Sequence, residues 1–193
     1  MIRAGKSLQD ISRTLLSYNN RLEQRALEQV NLVVVHATEL PDLAMARDYG
    51  ETIRYPNSGT GNSGHFYIDR DGTVEQWVDL DRVAHHVADH NHNTVGIELV
   101  SLGRYPAWFH SRHQVWQEPV KTDQIESLLG LLEFLRQQLP NLQWISGHDE
   151  LDTRWVPASD DPALRVRRKL DPGPDFPWAR VLASSGLLAF RRP

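Results

Sequence analysis

The stretch from Asn31 to His36 constrains the fold of this chain more than any other feature. It contains four consecutive apolar residues, three of them valine, followed directly by a histidine. Such a run predicts a β-strand that is buried on both faces, as strands of parallel sheets are. A histidine at the end of a core strand is either a polar group satisfied by its neighbours or a group held over a site. The rest of the sequence has to decide between these two interpretations.

The length and composition predict one globular domain that does not bind nucleic acid. The chain has 193 residues, of which 40% are hydrophobic and 24% are charged, and this size supports a single core. Its net charge is −4, and no basic run carries interleaved aromatic residues, so we expect neither DNA nor RNA as a partner. No apolar run approaches the ~20 residues that a membrane span needs. We expect the chain to act as a monomer.

Two further absences bear on chemistry and location. The chain contains no cysteine, which excludes disulfides and thiolate ligands. The first six residues have no apolar core after their basic residues, so we expect no signal peptide. The sequence leaves open a cytoplasmic protein and a periplasmic or exported protein in its mature form.

Further strands are predicted along the chain beyond His36. Two β-rich runs flank an Asp-Gly turn within residues 65–78, a pattern typical of a hairpin. Residues 94–100 predict another strand, which is apolar except for the acid Glu98. A buried carboxylate is costly without a partner, so Glu98 should be paired or functional. Residues 143–147 predict a short strand that again leads directly into a histidine.

One long helix is predicted between the last two of these strands. Leucine and isoleucine recur at three- and four-residue steps from Thr122, the expected N-cap, to a break at Pro140. Strands and helices that alternate in this way indicate an α/β class with a central mixed sheet flanked by helices. The sequence shows no repeat and no linker to a second domain.

The N-terminal residues 1–30 are polar with scattered leucine and isoleucine, and we expect them to form an arm packed on the body. Within this arm, Ser7 is placed to cap a short helix carrying Ile11 and Leu15. Residues 31–193 then form the main domain.

Two histidines at strand ends, His36 and His148, suit a zinc site that is assembled by the fold. A catalytic zinc takes three protein ligands and keeps a further position for water. The chain has no HExxH or CxxC motif that would define the ligand set locally. The carboxylates placed to serve as the third ligand are Asp149, Asp152, Asp171 and Glu98.

Five blocks of the sequence resemble one known family. In order, they are the strand ending in His36, HFYIDRDGTVEQWV (65–78), NHNTVGIEL (91–99), GHDE (147–150) and RKLDPGPDFPW (168–178). Together they resemble the zinc-dependent N-acetylmuramoyl-L-alanine amidases of type 2, whose fold is shared by peptidoglycan recognition proteins. The resemblance spans residues 31–178 and implies that residues 31–193 are an amidase domain.

The resemblance implies hydrolysis of the amide bond between N-acetylmuramic acid and L-alanine, with peptidoglycan or a muropeptide as the bound partner. It implies one zinc ion per chain, held by His36, His148 and Asp171. Glu98 matches a catalytic carboxylate of bacterial members, and Lys169 matches a lysine that stabilises the oxyanion.

The resemblance also implies which residues line the substrate groove. His86 and Asn93 match groove positions, and His65 falls where some phage and animal members carry a tyrosine. We therefore expect His65, His86 and Asn93 to bind substrate.

The spacing of two implied ligands departs from the family pattern. His148 and Asp171 are 23 residues apart, more than is usual in the family, so residues 149–168 carry an insert. The insert leaves Asp152 as a rival to Asp171. Two other classes of function also stay open, namely a peptidoglycan-binding module that has lost zinc and a zinc peptidase that cleaves another amide.

Overall fold

The valine-rich stretch forms an inner strand of a seven-stranded sheet in the computed structural model, which describes residues 11–190. The strands are β1 (Ile11–Arg13), β2 (Leu32–Ala37), β3 (Phe66–Ile68), β4 (Val74–Gln76), β5 (Thr94–Leu99), β6 (Trp144–Gly147), β7 (Trp155–Pro157), β8 (Arg165–Arg167) and β9 (Leu188–Ala189). The α-helices are α1 (Leu43–Glu51), α2 (Thr122–Gln138), α3 (His148–Leu151) and α4 (Trp178–Ser185). None of the helices in this part of the chain is long and apolar enough to cross a membrane.

The order of strands in the main sheet is β1-β4-β3-β5-β2-β6-β9. Every neighbouring pair is parallel except the β3–β4 hairpin, and β7 and β8 form a separate two-stranded hairpin. The described residues therefore form one α/β domain with a mixed central sheet, and the expected fold class is confirmed.

The alternation of side chains along β2 divides the sheet into a core face and a site face. Val33 and Val35 of β2 belong to the same buried cluster as Val95 and Ile97 of β5, together with the leucines of α2. Successive strand residues point to opposite faces, so His36 lies on the other face of the sheet. The helix α2 packs on the face that carries Val33 and Val35. The polar residue at the end of β2, His36, lies on the opposite face.

Two local predictions needed correction. The helix expected to carry Ile11 is wrong there, because Ile11–Arg13 is a strand that pairs in parallel with β4. Sheet pairing satisfies backbone groups at the edge of β4 that a helix would have left unpaired. Ser7 lies outside the described residues. The expected N-cap of α2 is one residue off, since Thr122 is already helical and the amide of Lys121 donates to the Gln124 side chain at 3.1 Å.

Candidate active site

Three parallel strands deliver polar side chains to one edge of the sheet. The strands β2 and β5 are parallel, with His36 paired opposite Glu98. On the other side of β2 lies β6, also parallel, and His148 directly follows its last residue. In open α/β sheets, ligands bind at the carboxyl ends of parallel strands. The sheet topology therefore brings residues that are far apart in sequence to a single edge.

Asp171, from the loop after β8, completes a tight cluster with the two histidines. Its Oδ2 lies 3.0 Å from Nδ1 of His36 and 3.1 Å from Nδ1 of His148. One ligand atom from each of the three residues lies within 4.8 Å of the others, and all three residues are buried. Across residues 11–190, no other group of histidine, aspartate or glutamate meets this description.

Burial and neighbouring charges set the protonation of this cluster. Burial, and then the nearby His148, lower the pKa of His36 to about 4. Burial alone would raise the pKa of Asp171, but His148, Lys169 and His36 hold it well below its usual range. A neutral imidazole and an ionised carboxylate are the forms in which these side chains bind a metal.

The donor set fits a zinc ion. The second oxygen of Asp171, Oδ1, is buried and has no hydrogen-bond partner among the described residues. An unsatisfied buried carboxylate oxygen is costly, so its presence beside two imidazole nitrogens indicates a place for a cation. Two histidines and one carboxylate form a known ligand set of catalytic zinc.

Glu98 lies directly beside the cluster. Its Oε1 is 4.0 Å from Nδ1 of His36, and its side chain is 15% exposed. Burial, and then the charge of Asp171, raise the pKa of Glu98 to about 8. Gly64 makes room for this side chain, since a Cβ there would lie 2.9 Å from Cγ of Glu98. A carboxyl group with such a pKa is suited to exchange protons near neutral pH.

Lys169 lies two residues before Asp171 and lines the same cavity as Glu98. Its positive charge lowers the pKa of Asp171 and opposes the rise in the pKa of Glu98. An ammonium group in this place is positioned to stabilise negative charge that develops on a carbonyl oxygen.

Of the three residues expected to bind substrate, the structure brings only His86 to the cavity. His86 lines the cavity wall, with its Nδ1 2.9 Å from Nε2 of His36. Asn93 is not among the cavity-lining residues and instead donates from its side-chain amide to the Asn31 side chain at 2.9 Å.

His65 is fully buried behind the site and does not reach the cavity. Its Nδ1 accepts the Gly96 amide proton at 3.1 Å, and its Nε2 lies 3.1 Å from the Arg82 carbonyl oxygen. Burial, and then the charge of Arg25, hold the pKa of His65 well below its usual value. The Nε2 atom of His65 also lies 2.9 Å from Nη2 of Arg25, so both ring nitrogens contact buried protein atoms and leave no surface for a ligand.

The insert contributes no ligand to the cluster. Asp152 accepts hydrogen bonds from Arg154, at 2.7 and 2.8 Å, and from Arg168. The hydrogen bonds from Arg154, reinforced by Arg168, hold the pKa of Asp152 well below its ordinary value. Neither Asp152 nor Asp149 belongs to the group of three that could hold a metal. Of the four carboxylates that the sequence offered as a third ligand, only Asp171 lies in the cluster with His36 and His148.

A cavity of about 590 Å³ opens above the cluster. One wall is the Gly/Ser/Asn-rich loop before β3, which supplies Asn62 and Ser63. Another wall is the loop between β5 and α2, which supplies Trp108 and Phe109. The cavity mixes polar groups with aromatic surface, as sites for small organic ligands do.

An ion pair that sequence reasoning missed lines the same cavity. Arg104 donates from Nε and Nη2 to the Glu39 carboxylate at 2.8 and 2.7 Å, and both residues are buried. The same guanidinium donates to the Arg167 carbonyl at 2.9 Å, and so ties down the segment that leads to Lys169. The partners are 65 residues apart, so no local pattern could have revealed the pair.

Comparisons with solved structures agree with this fold. The amidase LysC from Clostridium intestinale is 20% identical, with a TM-score of 0.65 over 92% of this chain and 98% of that chain. The amidase AmiD from E. coli, solved with anhydro-N-acetylmuramic acid-L-Ala-D-gamma-Glu-L-Lys, is 20% identical, with a TM-score of 0.59 over 86% of this chain and 60% of that one. AmpDh3 from Pseudomonas aeruginosa, solved with an anhydromuramic pentapeptide, is 21% identical, with a TM-score of 0.60 over 97% and 67%.

A comparison with curated protein sequences gave no match. The comparison with protein families matched residues 26–174, which include the three clustered residues together with Glu98 and Lys169. That family is described as N-acetylmuramoyl-L-alanine amidase, and the match covers most of the chain. The chain therefore belongs to the N-acetylmuramoyl-L-alanine amidase family.

Proposed function

We propose that this protein cleaves the amide bond between N-acetylmuramic acid and L-alanine with one zinc ion, held by His36, His148 and Asp171. The observation that carries the proposal is the buried cluster of these three residues at the carboxyl edge of the sheet, with Glu98 4.0 Å from His36. Membership of the amidase family supports the same reaction. When bound, zinc supplies a Lewis acid that polarises a carbonyl and acidifies water.

Glu98 is proposed as the group that moves the proton. As water attacks the carbonyl carbon, Glu98 takes one proton from it; as the carbon–nitrogen bond breaks, Glu98 returns that proton to the departing alanine nitrogen. Its raised pKa suits both halves of this transfer, because a carboxylate with an ordinary pKa is a weak base at neutral pH.

Lys169 is proposed to stabilise the carbonyl oxygen while that oxygen carries negative charge. A positioned donor of this kind is worth roughly 3–4 kcal/mol in the transition state. The Glu39–Arg104 pair supports Lys169 indirectly, because Arg104 fixes the carbonyl of Arg167 just before it in the chain.

The substrate is proposed to be a peptidoglycan fragment that binds in the 590 Å³ cavity above the cluster. Two of the similar structures hold anhydromuropeptides, which are compounds of this class. All of the proposed site residues come from one chain, so a monomer is sufficient for the reaction.

We also propose that residues 31–193 are the amidase domain and that residues 1–30 pack on it as an arm. Within the described part of that arm, β1 adds to the sheet beside β4, and Arg25 donates to the Thr94 carbonyl at 2.7 Å. These contacts support an arm that belongs to the same folded unit.

The direct experiment compares three substrates and identifies the products by mass spectrometry. The substrates are a muropeptide with its N-acetylmuramoyl group, intact peptidoglycan, and the same stem peptide without the sugar. We expect the sugar acid and a peptide with a free alanine amine from at least one of the first two substrates. Cleavage of the sugar-free peptide instead would indicate a zinc peptidase, and binding without cleavage would indicate a recognition module.

A further inference from the structure

A chain of hydrogen bonds runs from the His90 carbonyl through Thr94 and His86 to His36, beside the cluster of His36, His148 and Asp171. We propose that His86 is a positioning residue, which holds His36 in the tautomer that turns its Nδ1 lone pair toward the metal. The Thr94 hydroxyl determines which atom donates and which accepts in each of these hydrogen bonds. The inference rests on the proposed function, because it concerns the zinc site assigned there.

The direction of the chain begins at the Thr94 hydroxyl. Its Oγ1 lies 2.8 Å from the His90 carbonyl oxygen, which can only accept, so the hydroxyl proton points there. Oγ1 then has lone pairs left for Nε2 of His86, 3.1 Å away. The proton of His86 therefore belongs on Nε2. Thr94 itself is fully buried, so water does not compete for its hydroxyl.

The protonation of His86 determines which nitrogen of His36 carries a proton. A neutral imidazole carries one proton, so with Nε2 protonated, Nδ1 of His86 offers a lone pair. Nε2 of His36 lies 2.9 Å from it and donates. Nδ1 of His36 is then unprotonated and faces the Asp171 carboxylate at 3.0 Å. Both of these atoms then present a lone pair and neither carries a proton, so a cation between them is favourable. The opposite direction would require Thr94 to give up its bond to His90.

The position of the His86 ring is fixed by the neighbouring strand. Thr94 and Gly96 are two residues apart on β5 and lie on the same face of the sheet. A Cβ at Gly96 would lie 2.6 Å from Cγ and from Nδ1 of His86, so only glycine lets the ring lie this close to the strand. Packing against Gly96 and bonding to Thr94 together leave His86 one orientation in which Nδ1 reaches His36.

The functional consequence follows from the behaviour of metal-bound histidines in general. The nitrogen that does not bind the metal is normally hydrogen-bonded, which orients the ring and raises its basicity as a ligand. Loss of such a partner typically weakens metal binding about 10- to 100-fold. His86 is placed to supply this partner for His36.

The test measures the zinc dissociation constant of purified, metal-free protein by competition with a coloured chelator. We expect His86→Ala to bind zinc about 10- to 100-fold more weakly. His86→Asn should recover most of the loss, because its Oδ1 can accept from Nε2 of His36. Thr94→Val keeps the shape but removes the acceptor, and should weaken binding several-fold. The matched control is His92→Ala, a largely exposed histidine of the same segment, which should bind as the wild type does.

A second readout addresses the tautomer itself. Two-bond ¹H–¹⁵N spectra of the zinc-bound wild type should show His86 protonated at Nε2 and not at Nδ1. Protonation at Nδ1 would overturn the proposal.

The outcomes separate this inference from the proposed function. If the wild type binds no zinc, both fail. If the wild type binds zinc but His86→Ala binds it equally tightly, or His86→Asn is no better than His86→Ala, the positioning role alone is wrong. Thermal unfolding of the metal-free variants shows whether each one is folded, and the isosteric Thr94→Val still decides the case if His86→Ala is not.

Discussion

At the scale of single residues, the site places a carboxyl group where its ordinary chemistry is changed. Glu98 is on a core strand, opposite His36 and close to Asp171, and water reaches little of it. Its pKa rises to about 8 because burial and a neighbouring negative charge both disfavour ionisation. Glu98 is the only acid in a strand that is otherwise apolar, and this environment gives it a chemical role there.

Replacement of Glu98 tests its role in proton transfer. Glu98→Gln keeps the size and polarity of the side chain but cannot carry the proton, so we expect kcat to fall about 10²- to 10⁴-fold. Zinc affinity should stay within a few-fold of the wild type, because Glu98 is outside the ligand set. Steady-state kinetics and a zinc titration measure the two effects, with Glu133→Gln on the exposed side of α2 as the control. A fall in zinc affinity that matches the fall in rate would make Glu98 a ligand.

His65 makes folding depend on pH. In the folded protein, burial and the charge of Arg25 keep its pKa well below the value of about 6.5 found in unfolded chains. As the pH falls through 6.5, the unfolded chain takes up a proton at this position and the folded chain does not. Because only the unfolded chain gains this proton, acid stabilises the unfolded state, and the free energy of unfolding falls as the pH falls below about 6.5.

The expected slope is about 1.4 kcal/mol per pH unit for one such group below pH ~6.5. His65→Gln should remove about this much from the pH dependence of the free energy of unfolding. Urea unfolding of metal-free protein between pH ~5 and ~7 measures it. His92→Gln, at a largely exposed position, serves as the control and should leave the slope unchanged. An identical slope in His65→Gln and wild type would show that His65 is protonated in the folded state.

At the scale of elements, the strands that build the site could be predicted from the sequence. Their pairing, which brings their carboxyl ends together at one edge of the sheet, could not. The valine run, the Asp-Gly hairpin and the strand around Glu98 all have local signals of period and turn chemistry, and each forms as expected. Pairing of β2 with both β5 and β6 depends on contacts between distant segments. For this reason the residues alone left four candidate third ligands, and only the family resemblance singled out Asp171.

Several of the elements that sequence analysis missed are short strands at the periphery, although α4 was also missed and packs its Val181 into the core. The strand β1 has three residues and is stabilised by pairing with β4, so tertiary contact outweighs its weak helical pattern. The hairpin of β7 and β8 lies inside the insert, where charged residues and prolines give no clear period. Local propensity does not decide the structure of such segments.

The insert yields a prediction that separates two aspartates. Asp152 is held by Arg154 and Arg168, whereas Asp171 lies between the two histidines. Asp171→Ala should abolish zinc binding and hydrolysis. Asp152→Ala should keep zinc affinity and leave hydrolysis largely intact, while it lowers the free energy of unfolding by about 1 kcal/mol or less, because both arginines are exposed and water can replace their lost partner. Metal analysis and urea unfolding of both variants test this, and the reverse pattern would move the third ligand into the insert.

At the scale of the whole molecule, the fold places its main apolar cluster and its site on opposite faces of the sheet. One face of the sheet carries the apolar cluster with α2, and the other face carries His36, Glu98 and the cavity. The alternation of side chains along β2 and β5 makes this division possible, because one strand serves both faces. The loops that wall the cavity then add aromatic and polar surface without altering the core.

We propose that the activity of this amidase depends on one zinc ion at the His36–His148–Asp171 cluster. The most direct measurement adds zinc stepwise to metal-free protein and follows cleavage of an N-acetylmuramoyl-L-alanine peptide by mass spectrometry. We expect no cleavage at the start, a rate that rises in proportion to zinc up to one equivalent per chain, and no recovery in His36→Ala. Full cleavage by the metal-free protein, or full recovery in His36→Ala, would contradict the proposal.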